Sequence, residues 1–419
     1  MGILEKTRNL RTNELFMSSL VLLILMNIAN VLNYLFHFSM ARMLGPADYG
    51  ILAVLTSIIY LFSVPTNSIQ TVVSKYTTKF NVKKEYGKLK GILNYLLKTL
   101  FIWSLIAFFA FLIVSIFLYE PLKISYWLLV VTGLLLFGTL ITPIGTGILQ
   151  GSKKFGAWGL NNILNSSVKL ILAILLVYFG FGVYGPVIGF LFGALVSFIF
   201  IFPFIREIVR AKEIKEKVNV FSLENIPTFI AVLVITLMYS LDIILAKYLF
   251  DAYTAGLYSV ASMIGKMIFF ASATIASAMF PISSEKFLNG NKNRTHGVAR
   301  KTALAIVLLC GFAVLMLWLF PGFIISLLFG KQYLAISGMM VYIGLAYSML
   351  SFLNTYLLYK ISVNEFSISR ITFLIGFLLI QVGFMIYFGG SLNKFVIAFL
   401  ISTMISFIGS VLLFRRQKK

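Results

Sequence analysis

Apolar runs of about 20 to 25 residues alternate with short polar stretches along the whole chain, and each run is long enough to cross a bilayer as a helix. About twelve can be drawn, near residues 15–40, 51–76, 92–118, 125–149, 157–180, 183–205, 226–250, 255–280, 300–320, 335–358, 367–388 and 393–414. A helix satisfies its own backbone hydrogen bonds, which is the condition hydrocarbon imposes on any span. The pattern predicts an all-α membrane protein with about 12 transmembrane helices. The first run has a basic start, and Ser39-Met40-Ala41 resembles a small-x-small cleavage site. The run is longer than the apolar core of a signal peptide, about 7 to 15 residues, and it carries several Asn, so it reads as an uncleaved span.

Polar residues inside the runs recur at helical spacing. Span one carries Asn27, Asn30, Tyr34 and His37 at steps of three and four, with Asn33 nearby. Span two carries Ser63, Asn67, Gln70 and Ser74, with Pro65 as a kink in its middle. Span five shows Asn161, Asn165 and Lys169, and span eight Ser259, Ser262 and Lys266. Such ladders either glue helices together or line a water-filled path. Lys98 lies near a span end and can snorkel. Lys169 and Lys266 lie roughly 18–21 Å into their spans at 1.5 Å per residue, too deep to snorkel. They are expected to line an aqueous cavity with Arg42, Asn27, Asn30, His37, Asn67, Gln70, Asn161 and Asn165. Asp242 is the sole carboxylate inside a span. Two roles are open to it: a site coupled to H⁺ or Na⁺, or an ion pair with Arg42 or a lysine on another helix. An interior with three lysines and one carboxylate favours an anionic passenger.

Composition agrees with the membrane class. Of 419 residues, 60% are hydrophobic and 11% charged, against roughly 25% charged in soluble domains. The net charge of +22 invites a nucleic-acid partner, but 27 of the 35 Lys and Arg fall in alternate loops. That is the positive-inside pattern. It puts both termini in the cytoplasm, places the protein in the cytoplasmic membrane, and assigns the charge to topology and anionic lipid headgroups, with no nucleic acid. Arg42, Lys123, Lys247, Lys331 and Lys394 fall to the opposite loops. The single cysteine, Cys310, excludes a disulfide within the chain, and two histidines give no basis for a metal centre. No cofactor is expected.

The halves echo each other. Tyr49-Gly50-Ile51-Leu52 matches Ala255-Gly256-Leu257-Tyr258 at an offset of about 206 residues, and Lys79-Phe80 matches Lys286-Phe287 nearly so. A mixed-charge stretch at the midpoint separates them. The expected organisation is a six-helix bundle over 1–205, a cytoplasmic linker over 206–224 and a second six-helix bundle over 225–419. Parallel repeats of this kind place a substrate path between the halves.

Leu44-Gly45-Pro46-Ala47-Asp48-Tyr49-Gly50 after the first span resembles a hallmark of the polysaccharide transporter family, the lipid-linked oligosaccharide flippases of the multidrug/oligosaccharidyl-lipid/polysaccharide exporter superfamily. Leu241-Asp242-Ile243-Ile244-Leu245-Ala246, Ala255-Gly256-Leu257-Tyr258-Ser259 and Met279-Phe280-Pro281 agree with it. The resemblance implies two six-helix bundles around a central cavity, alternating access, and a glycan on an isoprenoid phosphate or pyrophosphate as passenger. Two other functions compete. A cation-coupled multidrug exporter needs cavity carboxylates, and only Asp242 is offered. A membrane glycosyltransferase or polymerase needs catalytic carboxylates in outer loops, where Asp48, Glu120 and Asp251 stand far apart in sequence.

Overall fold

A computed structural model of the chain describes residues 2–215, 226–288, 292–363, 365–366 and 368–413. Linker residues 216–224 and the basic tail 415–419 lie outside them. Every regular element among the described residues is helical. Eleven stretches of these residues are long and apolar enough to span a membrane, against about twelve expected. The difference lies at the N-terminus, where the first two expected spans run together over Ile24–Val82.

That stretch is not one straight helix. The first helix, α1 (Gly2–Phe62), breaks at Gly45, whose φ of 74° and ψ of 175° no helical residue adopts. Glycine enters this region without the Cβ clash other residues suffer. Pro46 then restarts the helix, since its fixed φ and missing N–H suit a first helical position. A second break, at 63–65, separates α1 from α2 (Thr66–Val82). Pro65 therefore ends one helix and begins another, where the sequence suggests a kink inside a single span.

The chain folds into two compact units. The first comprises Met1–Met43 and Pro65–Val220. It holds the start of α1, α2, α3 (Tyr86–Leu118), α4 (Tyr126–Gly133), α5 (Leu135–Gly151), α6 (Phe155–Tyr178), α7 (Tyr184–Ile201) and the short α8 (Arg206–Arg210). Its core sets Ile69, Val73 and Phe80 of α2 against Leu89, Leu93 and Leu96 of α3 and Ile144 and Ile148 of α5. The start of the expected linker is tied to this unit. The Ile214 backbone N–H donates to the Gly87 carbonyl at 3.0 Å, and Lys90 Nζ donates to the Ala211 carbonyl at 2.9 Å.

The second unit comprises Leu44–Val64 and Phe221–Lys419. Residues 44–64, from the first half of the sequence, thus pack with the second. The other elements are α9 (Ile226–Met238), α10 (Leu241–Leu249), α11 (Ala252–Leu288), α12 (Lys292–Leu319), α13 (Pro321–Leu328), α14 (Met340–Ser362), α15 (Ile368–Tyr387) and α16 (Leu392–Leu413). Asp251 caps α11 by accepting the backbone N–H groups of Tyr253 and Thr254 at 2.9 and 3.0 Å. The Thr254 hydroxyl and these amides hold its carboxyl below the usual range. Repeat-equivalent glycines meet inside this unit. A Cβ added to Gly50 would lie 3.0 Å from the Gly256 backbone, and one added to Gly256 only 1.8 Å from the Pro46 carbonyl oxygen. Tyr49 packs beside them, edge-on to Phe329 and Tyr333. Small residues are what let backbones in a membrane approach this closely.

Gly256→Val should therefore overpack the contact and cost about 1–3 kcal/mol or more, read as a lower melting temperature in detergent. Gly311→Ala in α12, where an added Cβ meets nothing within 4 Å, should raise stability by up to about 1 kcal/mol through helix propensity. Equal melting of the two variants would contradict this packing.

Candidate functional site

In the first unit the chemistry gathers on Lys169. α6 and α7 lie so close that a Cβ on Gly189 would sit 2.7 Å from the Lys169 carbonyl, and one on Gly193 2.8 Å from that of Asn165. This contact fixes the backbone that carries the lysine. The Lys169 side chain is 5% exposed. Its ammonium donates to Asn33 Oδ1 and lies 4.7 Å from the ring centres of both Phe36 and Phe190. The Asn33 amide nitrogen is tied back to the Ala29 carbonyl at 3.0 Å, which turns its oxygen toward the lysine. Ring faces and an amide oxygen thus solvate the cation, and among the described residues no carboxylate does so.

The other expected residues of this unit divide. His37 is buried and packs edge-on to Phe36, which joins it to the lysine cluster. Asn161 donates to Ser197 Oγ at 2.9 Å and so ties α6 to α7, while its own Oδ1 is buried without a partner among the described residues. Gln70 donates to Gln150 Oε1 at 3.0 Å, linking α2 to α5. Asn165 is half-buried. Asn27, Asn30, Arg42 and Asn67 are exposed, and Asn27 sits in a shallow depression with Ile24, Ile28, Val31 and Leu32.

In the second unit the chemistry gathers on Asp242. The seventh expected span breaks between α9 and α10, at Tyr239 and Ser240. Gln381 of α15 donates to the freed Met238 carbonyl at 2.7 Å, and such rescue is what makes a break tolerable at membrane depth. Asp242 lies in the first turn of α10, where the helix dipole favours a negative charge. It is fully buried. Its Oδ2 accepts hydrogen bonds from Tyr258 at 3.0 Å, Ser262 at 2.7 Å and Tyr347 at 2.7 Å. Its Oδ1 has no partner among the described residues.

One turn beyond Ser262, Lys266 is 1% exposed. Its ammonium donates to Ser57 Oγ at 3.4 Å and lies 5.8 and 6.0 Å from the rings of Tyr60 and Tyr239. The charges of Lys266 and Asp242 interact, but the groups that bond the carboxylate, all at Oδ2, are hydroxyls and not the ammonium. Lys247, assigned to an outer loop although the seventh apolar run reaches residue 250, is a buried residue of α10, 2% exposed.

Sequence spacing alone misses several of these groups. Tyr258, Ser262 and Lys266 share one stripe of α11, which the step of four makes visible. Asn33 stands beside the polar face of span one, while Phe36, Phe190, Tyr347 and Gln381 carry no local signal, since their roles depend on which helices become neighbours.

A family model described as "Polysaccharide biosynthesis protein" matches residues 16–287, more than half of the chain. Among curated proteins, none matches. Solved structures share the fold. An inward-facing multidrug resistance MATE family transporter of the MOP superfamily superposes with a TM-score of 0.71 at 14% identity, over 92% of this chain and 94% of that one. An outward-facing MATE family transporter gives 0.67 at 15% identity, over 95% and 94%. A MATE in complex with MaL6 gives 0.67 at 15% identity, over 95% of each chain. The chain is a multi-pass membrane protein with a transporter fold, and it belongs to the polysaccharide biosynthesis protein family.

Proposed function

We propose that the protein is a flippase of the cytoplasmic membrane that carries an oligosaccharide linked to an isoprenoid phosphate or pyrophosphate across the bilayer, by alternating access, for polysaccharide or glycan synthesis. Family membership supplies the link to polysaccharide synthesis, and the fold is that of a transporter. The observation that carries the passenger's chemistry is Lys169. An ammonium buried between two phenyl rings and one amide is held but not neutralised. A buried charge without a counter-charge is costly to keep. A phosphate that takes the place of the Asn33 contact would supply the missing charge. Lys266 in the second unit, among Ser57, Tyr60 and Tyr239, offers the same chemistry. The exposed amides of Asn27, Asn30 and Asn67 suit sugar hydroxyls, and the isoprenoid tail stays in the bilayer.

Asp242 fits the coupling role. Three hydroxyls fix Oδ2 and leave Oδ1 as the acceptor for H⁺ or Na⁺. Neutralising the carboxylate weakens its pull on Lys266, which links the ion to the cationic site. A buried carboxylate would also serve an exporter of cationic drugs, and two of the structural neighbours are multidrug resistance transporters. Substrate charge separates the two functions.

Three outcomes test the proposal. Lys169→Gln and Lys266→Gln should each lower flipping in reconstituted liposomes by at least about tenfold, the equivalent of about 1.4 kcal/mol. For Lys169→Gln the melting temperature should hold or rise, because an uncompensated buried charge is removed, and at either site Arg should restore part of the rate. Wild-type flipping by the double Gln variant would exclude the lysines.

Asp242→Asn keeps the shape and its hydroxyl partners but loses the charge, so transport should stop responding to an H⁺ or Na⁺ gradient. A variant that retains that response rules out the coupling role.

For topology, single cysteines at Lys84 and Lys212 in a Cys310→Ala background should resist an impermeant thiol reagent added to intact cells. Labelling from outside would reverse the orientation.

A further inference from the structure

The first unit carries a groove of about 710 Å³ that the transport proposal leaves unused. It lies between α3, α5 and α7. Phe101, Ile102, Leu134, Ile141, Leu191 and Phe198 supply most of its wall. The Phe101 and Phe137 rings, 5.5 Å apart, make one side aromatic. Two polar side chains line it, Lys98 and Thr142. Lys98 is exposed and has neither a hydrogen bond nor an ion pair among the described residues. Glu213 is engaged by Asn94, one turn earlier on the same face, at 2.8 Å.

The register of the three helices orients the groove. α3 starts at Tyr86 beside the basic loop 83–90 and ends at Leu118. Counting back from Leu118 through about 20 residues, or about 30 Å of hydrocarbon, reaches Lys98. Its ammonium therefore stands at headgroup depth on the side of the basic loops. Phe101 and Ile102, one turn further along α3, lead into hydrocarbon. α5 and α7 agree: Thr142 and Phe198 lie toward the same end as Lys98, and Leu134 and Leu191 lie deeper. The groove is thus a cleft open to lipid, with a single cation at its headgroup end and hydrocarbon walls beyond.

We propose that this groove is a binding site for an anionic phospholipid, with its phosphate on Lys98 and one acyl chain along the wall formed by Phe101, Ile102 and Leu134. One ammonium matches the single negative charge of a phosphodiester. The basic segments 83–90 and 206–215 beside the same end draw anionic lipid to that leaflet. The exposed cleft admits a bilayer lipid sideways with no conformational change. The lysine that snorkels on sequence grounds is here the headgroup ligand of a specific lipid. The assignment is independent of the glycan passenger and of its transport.

Native mass spectrometry of the full chain, released from detergent after addition of phosphatidylglycerol, phosphatidylcholine or a polyisoprenyl monophosphate in turn, tests it. Wild-type protein should retain phosphatidylglycerol in preference to phosphatidylcholine. Lys98→Gln should lower that retention about fivefold, Lys98→Arg should keep it, and Ile141→Trp should block it by filling the cleft while the charge stays. Melting without added lipid checks that each variant folds. Equal phosphatidylglycerol retention by wild type and Lys98→Gln would overturn the proposal. So would Lys98-dependent preference for the polyisoprenyl phosphate, which would give the groove to the passenger's own tail.

Discussion

A backbone in hydrocarbon finds no water, so every N–H and C=O must be satisfied by the protein itself. The architecture follows from this constraint, including its irregularities. Two of the lost helical bonds are replaced by a side chain from a neighbouring helix. In α5 Pro143 has no N–H to offer the Thr139 carbonyl, and the Thr66 hydroxyl of α2 donates to it at 3.1 Å. At 239–240 Gln381 takes the Met238 carbonyl. The same pressure disposes of many hydroxyls in the spans: Thr56, Ser104, Thr132, Ser259, Ser348 and Thr355 each bond the carbonyl four residues back on their own helix. Against that background the polar groups that reach beyond their own helix stand out, among them Lys169, Lys266, Asp242, Asn161 and Gln381.

The two charged clusters solve opposite problems by the same means. Lys169 is a cation solvated by ring faces and an amide oxygen, and Asp242 an anion solvated by three hydroxyls and the start of a helix. A direct ion pair would cancel the charge and leave it with nothing to offer a ligand. Neutral dipoles stabilise a charge without cancelling its field. Tyr258, Ser262 and Tyr347 also bring α11 and α14 onto α10, so a change at Asp242 reaches three helices at once.

Much of this is legible in the chain because membrane spans announce themselves by length and polarity, and because lysine and aspartate inside them are rare. Lys169, Lys266 and Asp242 stand out on those grounds, and all three are buried. What escapes is whatever depends on neighbours. That Asn161 reaches Ser197 on α7 is not visible in the sequence, because it depends on the glycines at 189 and 193 that let that helix approach. Lys247 falls inside the seventh apolar run yet reads as a loop charge near its end, because the hydropathy pattern does not reveal the break at Ser240 or the neighbours that bury the side chain. Gly45-Pro46 is legible as an interruption, while its result, a helix that changes partners at that point, depends on what it meets afterwards.

The partner change at Gly45 has a consequence for how the protein is made. Residues 44–64 emerge early in synthesis, yet they complete the unit whose other helices come from 226 onward. Gly50 must wait for Gly256, and Tyr49 for Phe329 and Tyr333. Until then this stretch sits in the bilayer without its packing surface. The second half, made alone, would lack a piece of its own interior and expose the bare face of Gly256 to lipid. The second unit is therefore complete only once residues 44–64 and the helices from 226 onward are both in the bilayer.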